Sequence, residues 1–295
     1  MTSTAAAEAT GSHLRGILWM IAATMMLSWV SVISKTLTAD HPIEQVLWGR
    51  FFFNTLLLVL IFRGATARLL QTRALTLQSV RSAIMLLLML FLFLSFRLMP
   101  IASAMGIVSI SPILVTVMAV FLLREKVSAW MWLGVFGGFA GAMIIIRPGS
   151  GVMTLAALVP FAAAFVHASY QISTRYMAGR DPVLTTVLYT PLAGTLYYTA
   201  ILPWHWSPLS AVEWAIMAGM GIVGGASHFA MIKSFESAPA SVVAPYYYFI
   251  LLSSGTMGFL FFGEIPDLWT FVGAAVVAAS GLYIWHLEQR RRRQA

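Results

Sequence analysis

His167, Tyr170, Gln171 and Thr174 recur at positions 0, +3, +4 and +7. That spacing puts an imidazole, a phenol, an amide and a hydroxyl on one face of a helix. Such a row can bind a polar solute or bridge neighbouring helices. Thr24, Ser28, Ser31 and Lys35 form a comparable face near the N-terminus, with Trp29 beside it. Arg50 and Asn54 lie one turn apart in the apolar run VLWGRFFFNTLLLVLIF. A guanidinium there can anchor a carboxylate, directly or through its field, or bind carbonyls at broken helix ends. Pro112 stands within SISP, and Pro245 precedes Tyr246, Tyr247 and Tyr248. Each proline removes a backbone donor and kinks its helix, leaving carbonyls able to hold an ammonium group. The tyrosines can stack on an aromatic solute or hold a cation, although three in a row cannot all face one way.

Several chemistries have no parts here. The absence of cysteine excludes disulfides, thiolate metal sites and Cys nucleophiles. Lys35, Lys126 and Lys233 all lack the G-x-x-x-x-G-K setting of an ATP-binding loop. Neither H-E-x-x-H nor G-x-S-x-G occurs, so zinc proteolysis and serine hydrolysis have no support. No metal and no cofactor are expected. The ten acidic residues are Glu8, Asp40, Glu44, Glu125, Asp181, Glu213, Glu236, Glu264, Asp267 and Glu288. All fall in tails, loops or the end turns of apolar runs. A buried carboxylate that alternates between proton and cation is therefore missing. His167 is the one mid-depth group with an ordinary titration range near neutrality. A lone buried His more often serves as a neutral hydrogen-bonding residue, which favours movement of a solute down its own gradient.

These side chains need elements to position them, and composition says which. Of 295 residues, 60% are hydrophobic and 9% charged. A soluble fold of this length could not cover that much apolar surface, whereas lipid needs no cover. The net charge of +8 does not indicate nucleic acid, because the basic residues cluster between apolar runs. About 20 apolar residues cross a bilayer as helix. Ten spans are expected, near 14–37, 42–62, 77–97, 100–123, 127–146, 152–175, 184–202, 213–233, 239–262 and 268–288. Barrel-like alternation is absent, so helix is the assignment. With the N-terminus in the cytoplasm, 14 of the 18 basic residues fall inside, Arg81 among them, and both termini are cytoplasmic. Residues 1–13 show no cleavable signal and read as a disordered tail; residues 289–295 form a basic tail. Gly134, Gly137, Gly138 and Gly141 make small-residue rows that suit packing within the monomer or a weak homodimer.

The second half repeats the first. A shift of 139 brings Ser95, Phe96, Pro100, Met118, Glu125, Trp130 and Gly134 onto Ser234, Phe235, Pro239, Met257, Glu264, Trp269 and Gly273. A shift of 140 brings Ala23, Lys35, Pro42, Thr55 and Leu56 onto Ala163, Arg175, Pro182, Thr195 and Leu196, and makes Ser31 the counterpart of Gln171. The repeats run over 14–147 and 148–288. Five helices per repeat is an odd number, so the second copy enters the membrane inverted, as in many transporters.

Ten helices in two five-helix halves, Arg50 followed by Phe51, and the Pro…Glu…Trp…Gly pattern ending each repeat resemble the EamA domain of the drug/metabolite transporter superfamily. The resemblance covers nearly the whole chain. The aromatic-rich helices look closest to YddG-type amino-acid exporters. What this resemblance implies is a multi-pass protein of the bacterial inner membrane. Its function would be secondary transport or facilitated export of neutral, bulky or aromatic amino acids by alternating access. The candidate cavity residues are Ser28, Trp29, Ser31, Arg50, Asn54, His167, Tyr170, Gln171 and Tyr246, with Pro112 and Pro245 as gating kinks. A permease for purines or other small metabolites is the second reading. The third is a membrane-embedded lipid-modifying enzyme, for which no acid/base or nucleophile pair near the interface is evident.

Overall fold

The structure, a computed structural model, describes residues 2–62, 64–99, 101–125, 127–146 and 155–263, and part of 268–286. Among these residues there are helices and turns and no strand. In the first repeat the helices are α1 (Thr2–Asp40), α2 (Ile43–Ile61), the short α3 (Thr66–Leu69), α4 (Leu75–Leu98), α5 (Ile101–Val108), α6 (Ser111–Leu122) and α7 (Ala129–Ile146). In the second they are α8 (Leu158–Met177), α9 (Val183–Ile201), α10 (Ala211–Ser237), the short α11 (Ala240–Val243) and α12 (Phe249–Phe262). The described residues between 268 and 286 are helical and fall where the tenth span is expected. The basic tail at 289–295 and Glu264 lie outside the described residues.

One expectation meets a different structure, and the spans expected to kink at proline are broken outright. Helix α1 extends back to Thr2, through the segment read as a disordered tail. The stretch AAAEA explains this, since alanine and glutamate are strong helix formers joined to a long nucleus. The fourth and ninth spans are each interrupted. The fourth breaks at Ser109 and Ile110, whose amides bond back to Gly106 and Ile107 in tight turns before Pro112 starts the next helix. The ninth passes through a 3-10 segment, Ala244–Tyr248, with Pro245 in its first turn. A shift of 139 puts the first break at the end of the second, so both repeats are broken at matching depth.

The symmetry is visible in the packing. Helix α1 lies along α10 and α12; its counterpart α8 lies along α4 and α6. Helix α2 packs on α9 and α10, while α9 packs on α2 and α4. Where α2 crosses α9, Thr55 Oγ1 meets Thr195 Oγ1 at 2.9 Å. These two residues are repeat equivalents, so the pseudo-two-fold axis passes between them. Trp48 reaches Thr199 farther along, so α2 and α9 run antiparallel. An axis relating antiparallel neighbours lies across the helices, in the membrane plane, which is the inverted arrangement.

Among the described residues, five helical stretches are long and apolar enough to span a bilayer: Ser12–Asp40, Ile43–Ile61, Leu75–Leu98, Ala104–Leu122 and Ala211–Ser237. Helix α8 is too polar to join them, because it carries the His167 face. Large apolar side chains such as Phe121, Leu196 and Leu260 are exposed on the outer surface, as lipid contact requires. Exposed Trp130 and Trp204 stand at span ends, the usual place for interfacial tryptophan.

Polar contacts tie the two ends of the bundle. At the end of α1, His41 contacts Ser207 and Glu213, and Gln45 donates to the Ser207 carbonyl. At the opposite end, Asp181 accepts from Thr72, Gln78 and the Arg73 backbone. There Glu125 accepts from the Ala240 and Ser241 amides and pairs with Arg175 at 3.5 Å.

Candidate functional site

The broken fourth and ninth spans, with α1, α2, α4, α8 and α10, enclose a cavity with about 460 Å³ of empty space. Its walls are mostly apolar: Leu27, Val30 and Ile250, the rings of Phe93 and Phe96, and the thioethers of Met89, Met105 and Met231. Among the described residues the polar lining consists of Ser31, Ser34, Arg50, His167, Tyr170, His228 and Tyr247, with no carboxylate. A second, smaller cavity with about 280 Å³ of empty space adjoins it between α2, α4, α8, α9 and α10. Arg50, Tyr170 and His228 line both.

Helix periodicity explains which expected residues meet. Ser31, Arg50, His167 and Tyr170 all line the main cavity. His167 contacts Ser111 Oγ at 3.1 Å and its ring lies 4.5 Å from that of Tyr247. The break before Pro112 therefore presents Ser111 to the histidine. Gln171 is fully buried one turn on and reaches the cavity only through His167, at 3.2 Å. Asn54 lines the smaller cavity alone. Ser28 turns away and bonds Ser253 of α12 at 2.6 Å.

Two residues named from sequence sit elsewhere. Trp29 is 42% exposed on the outer surface, edge-on to Phe261. One residue advances a helix by about 100°, so Trp29 cannot share the Ser28–Ser31 face. Tyr246 is buried outside the cavity lining, and Tyr247 takes the place expected for it. In 3-10 geometry successive side chains diverge by about 120°. Tyr247 thus faces the cavity while Tyr248 packs on Gly138 of α7. That contact, with Ser280 over Gly137, uses the glycine row of α7 inside the monomer.

Two site residues escape the sequence reading. His228 accepts from Arg50 Nη2 at 3.1 Å and stands edge-on to Tyr170. Arg81, counted only as a cytoplasmic-side charge near the start of the third span, is fully buried in α4. It donates to Thr174, the Thr186 carbonyl, Thr190 and the Tyr170 hydroxyl, at 2.6–3.1 Å. The available signal was its spacing with Gln78, Met85 and Met89 on one helix face, all of them buried.

A largely apolar cavity between two inverted repeats with broken helices is the arrangement of a membrane solute transporter. The chain belongs to the EamA-like transporter family, whose sequence profile matches it twice, over residues 14–147 and 154–285. A riboflavin transporter of Vibrio cholerae is 31% identical over 66% of each chain. An S-adenosylmethionine uptake transporter of Rickettsia prowazekii is 25% identical over 96% of both chains. The pseudopaline exporter CntI of Pseudomonas aeruginosa is 23% identical over 90% of this chain and 94% of its own. A solved crystal structure superposes with a TM-score of 0.74 over 95% of this chain and 98% of its own; at 18% identity it supports the fold alone.

Proposed function

We propose that this chain moves bulky or aromatic neutral amino acids outward across the bacterial cytoplasmic membrane by alternating access, with both termini in the cytoplasm. It works as a monomer or weak homodimer. One observation carries the reading: the main cavity is apolar and aromatic, with Arg50, His167, Tyr170 and His228 as polar points and no acidic lining. Ligand cavities are mostly apolar and use a few convergent polar groups for orientation. Apolar walls suit a large hydrophobic side chain. Arg50 suits a carboxylate, and the missing acid disfavours a purely cationic solute.

A second reading is a heteroaromatic metabolite such as a flavin or purine derivative. The relatives named for riboflavin and S-adenosylmethionine favour it. The same aromatic walls would stack on such a ring, and the relatives' names include both uptake and export. Counterflow in proteoliposomes decides between them. Vesicles loaded with unlabelled tryptophan, leucine, riboflavin, S-adenosylmethionine or adenine are tested for uptake of the labelled compound. Tryptophan counterflow is expected. Counterflow of riboflavin or S-adenosylmethionine without any for amino acids would replace the first reading by the second.

A further inference from the structure

We propose that the smaller cavity is an anion subsite, built to hold one small monovalent oxyanion or halide between Arg50 and Arg81. It shares Arg50 with the solute cavity but does not require that the solute be an amino acid.

Arg50 and Arg81 both line this cavity, and among the described residues no acidic side chain does. Arg81 is hydrogen-bonded on all sides by neutral oxygens, yet its charge has no counter-ion there. Asp181, the carboxylate at the α9 end, is engaged by Thr72, Gln78 and Arg73. Arg50 is buried and donates to a single protein acceptor among the described residues, His228 Nε2. A guanidinium offers five N–H donors and accepts nothing. Two cations withdrawn from water without an anion are costly, because desolvation is then offset by no ion pair.

The neighbours of Arg50 also lack partners. Since Arg50 can only donate, His228 Nε2 must accept, and the neutral ring carries its proton on Nδ1. That Nδ1 is buried with no acceptor among the described residues. Asn54 is 6% exposed and its Oδ1 is unpartnered. The amide can be turned over to present its NH₂ instead. Thr190 accepts from Arg81 and keeps its own hydroxyl proton to give. With the Asn54 amide turned over, donors gather around one space with no anionic group facing them, which is the complement of an anion. Glycine at 225 lets α10 pack closely on Asn54, since a Cβ there would come within 2.4 Å of Asn54 Oδ1.

The anion has two sources, the carboxylate of a solute whose bulk fills the main cavity, or an inorganic ion. The test begins without any solute. The thermal midpoint of the purified full-length protein in a neutral detergent is titrated with chloride, nitrate or acetate against gluconate, at constant sodium and ionic strength. A saturable rise with the small anions is expected, with none for gluconate. Arg50→Gln should weaken that response at least about tenfold. Asn54→Asp removes no cation and supplies an internal carboxylate; it should raise the midpoint in gluconate and abolish the chloride response. A wild-type midpoint indifferent to anions, or a response unchanged in both variants, overturns the proposal. The two sources separate in a second arm. If chloride weakens binding of tryptophan but not of tryptamine, solute carboxylate and chloride share the subsite. If tryptophan binding is indifferent to chloride, the occupant is the inorganic ion. A missing anion effect with intact tryptophan counterflow would remove the subsite and leave the transport reading standing.

Discussion

Arg50 and Arg81 share a cavity wall but differ in what satisfies them, and the difference sets what each variant should do. Arg81 bridges α4, α8 and α9 through four hydrogen bonds from three nitrogens. A lysine ammonium is a point charge and cannot reproduce that fork. Arg81→Lys is expected to cost about 1–3 kcal/mol, seen as a lower thermal midpoint. Arg50→Lys keeps the charge and its one protein contact, so it should alter solute affinity more than the midpoint. Legibility followed position in the sequence. Arg50 stood out because it interrupts an apolar run. Arg81 lies at the edge of one, where a buried arginine and a cytoplasmic loop arginine look alike. His228 carried too little local pattern to be separated from an ordinary bundle residue.

Individual helices can be tested through their contacts. Helix α10 supplies a matched pair of glycines. A Cβ at Gly221 would lie 2.6 Å from Phe53 Cβ and 3.0 Å from backbone atoms of Arg50 and Asn54, while one at Gly219 meets nothing within 4 Å. Gly221→Ala should therefore destabilise by about 1–3 kcal/mol, and Gly219→Ala should be neutral or stabilise by up to about 1 kcal/mol. Equal midpoints for the two would contradict the α2–α10 packing. The loop before α9 gives a pH test. Burial raises the Asp181 carboxyl, but bonds from Thr72, Gln78 and the Arg73 backbone, with the Arg73 charge, more than offset it and leave it below the ordinary carboxylate value. A depressed folded pKa stabilises above the unfolded pKa, and that gain is lost as pH falls through the folded value. Asp181→Asn should melt earlier than wild type at neutral pH, and the gap should close as the medium is acidified through the carboxylate range. At this scale the prolines foretold that the fourth and ninth spans are irregular. They did not foretell that the ninth becomes 3-10, which is why the tyrosine facing the cavity was misassigned by one residue.

For the molecule as a whole, the odd helix count and the repeated E-x4-W-x3-G pattern carried the architecture, because hydropathy counts spans and duplication orders them. Interhelical contacts were not legible, since distant segments meet through side chains of no shared local pattern. Reporter fusions after Arg73 and at the C-terminus should read cytoplasmic, and one near Ser207 external; a cytoplasmic signal near Ser207 would break the inverted topology. Without an acid at mid-depth, an imposed pH or sodium gradient should drive no net solute accumulation in liposomes. Robust accumulation that survives His167→Gln would place a coupling site elsewhere.

The Thr55–Thr195 contact has a consequence for how such a chain can arise from two copies of one unit. A residue on the axis of two oppositely inserted units meets its own copy, so its side chain must be complementary to itself. A guanidinium there would face a guanidinium and a carboxylate a carboxylate. A hydroxyl donates with its proton and accepts with its lone pairs, so two identical ones satisfy each other. Off the axis that restriction lifts. The counterpart of Arg50 under the same shift of 140 is Thr190, and only after the copies could mutate separately can one keep a charge where the other holds a hydroxyl. Identity at the centre and divergence around it are therefore what gene duplication permits at each distance from the axis.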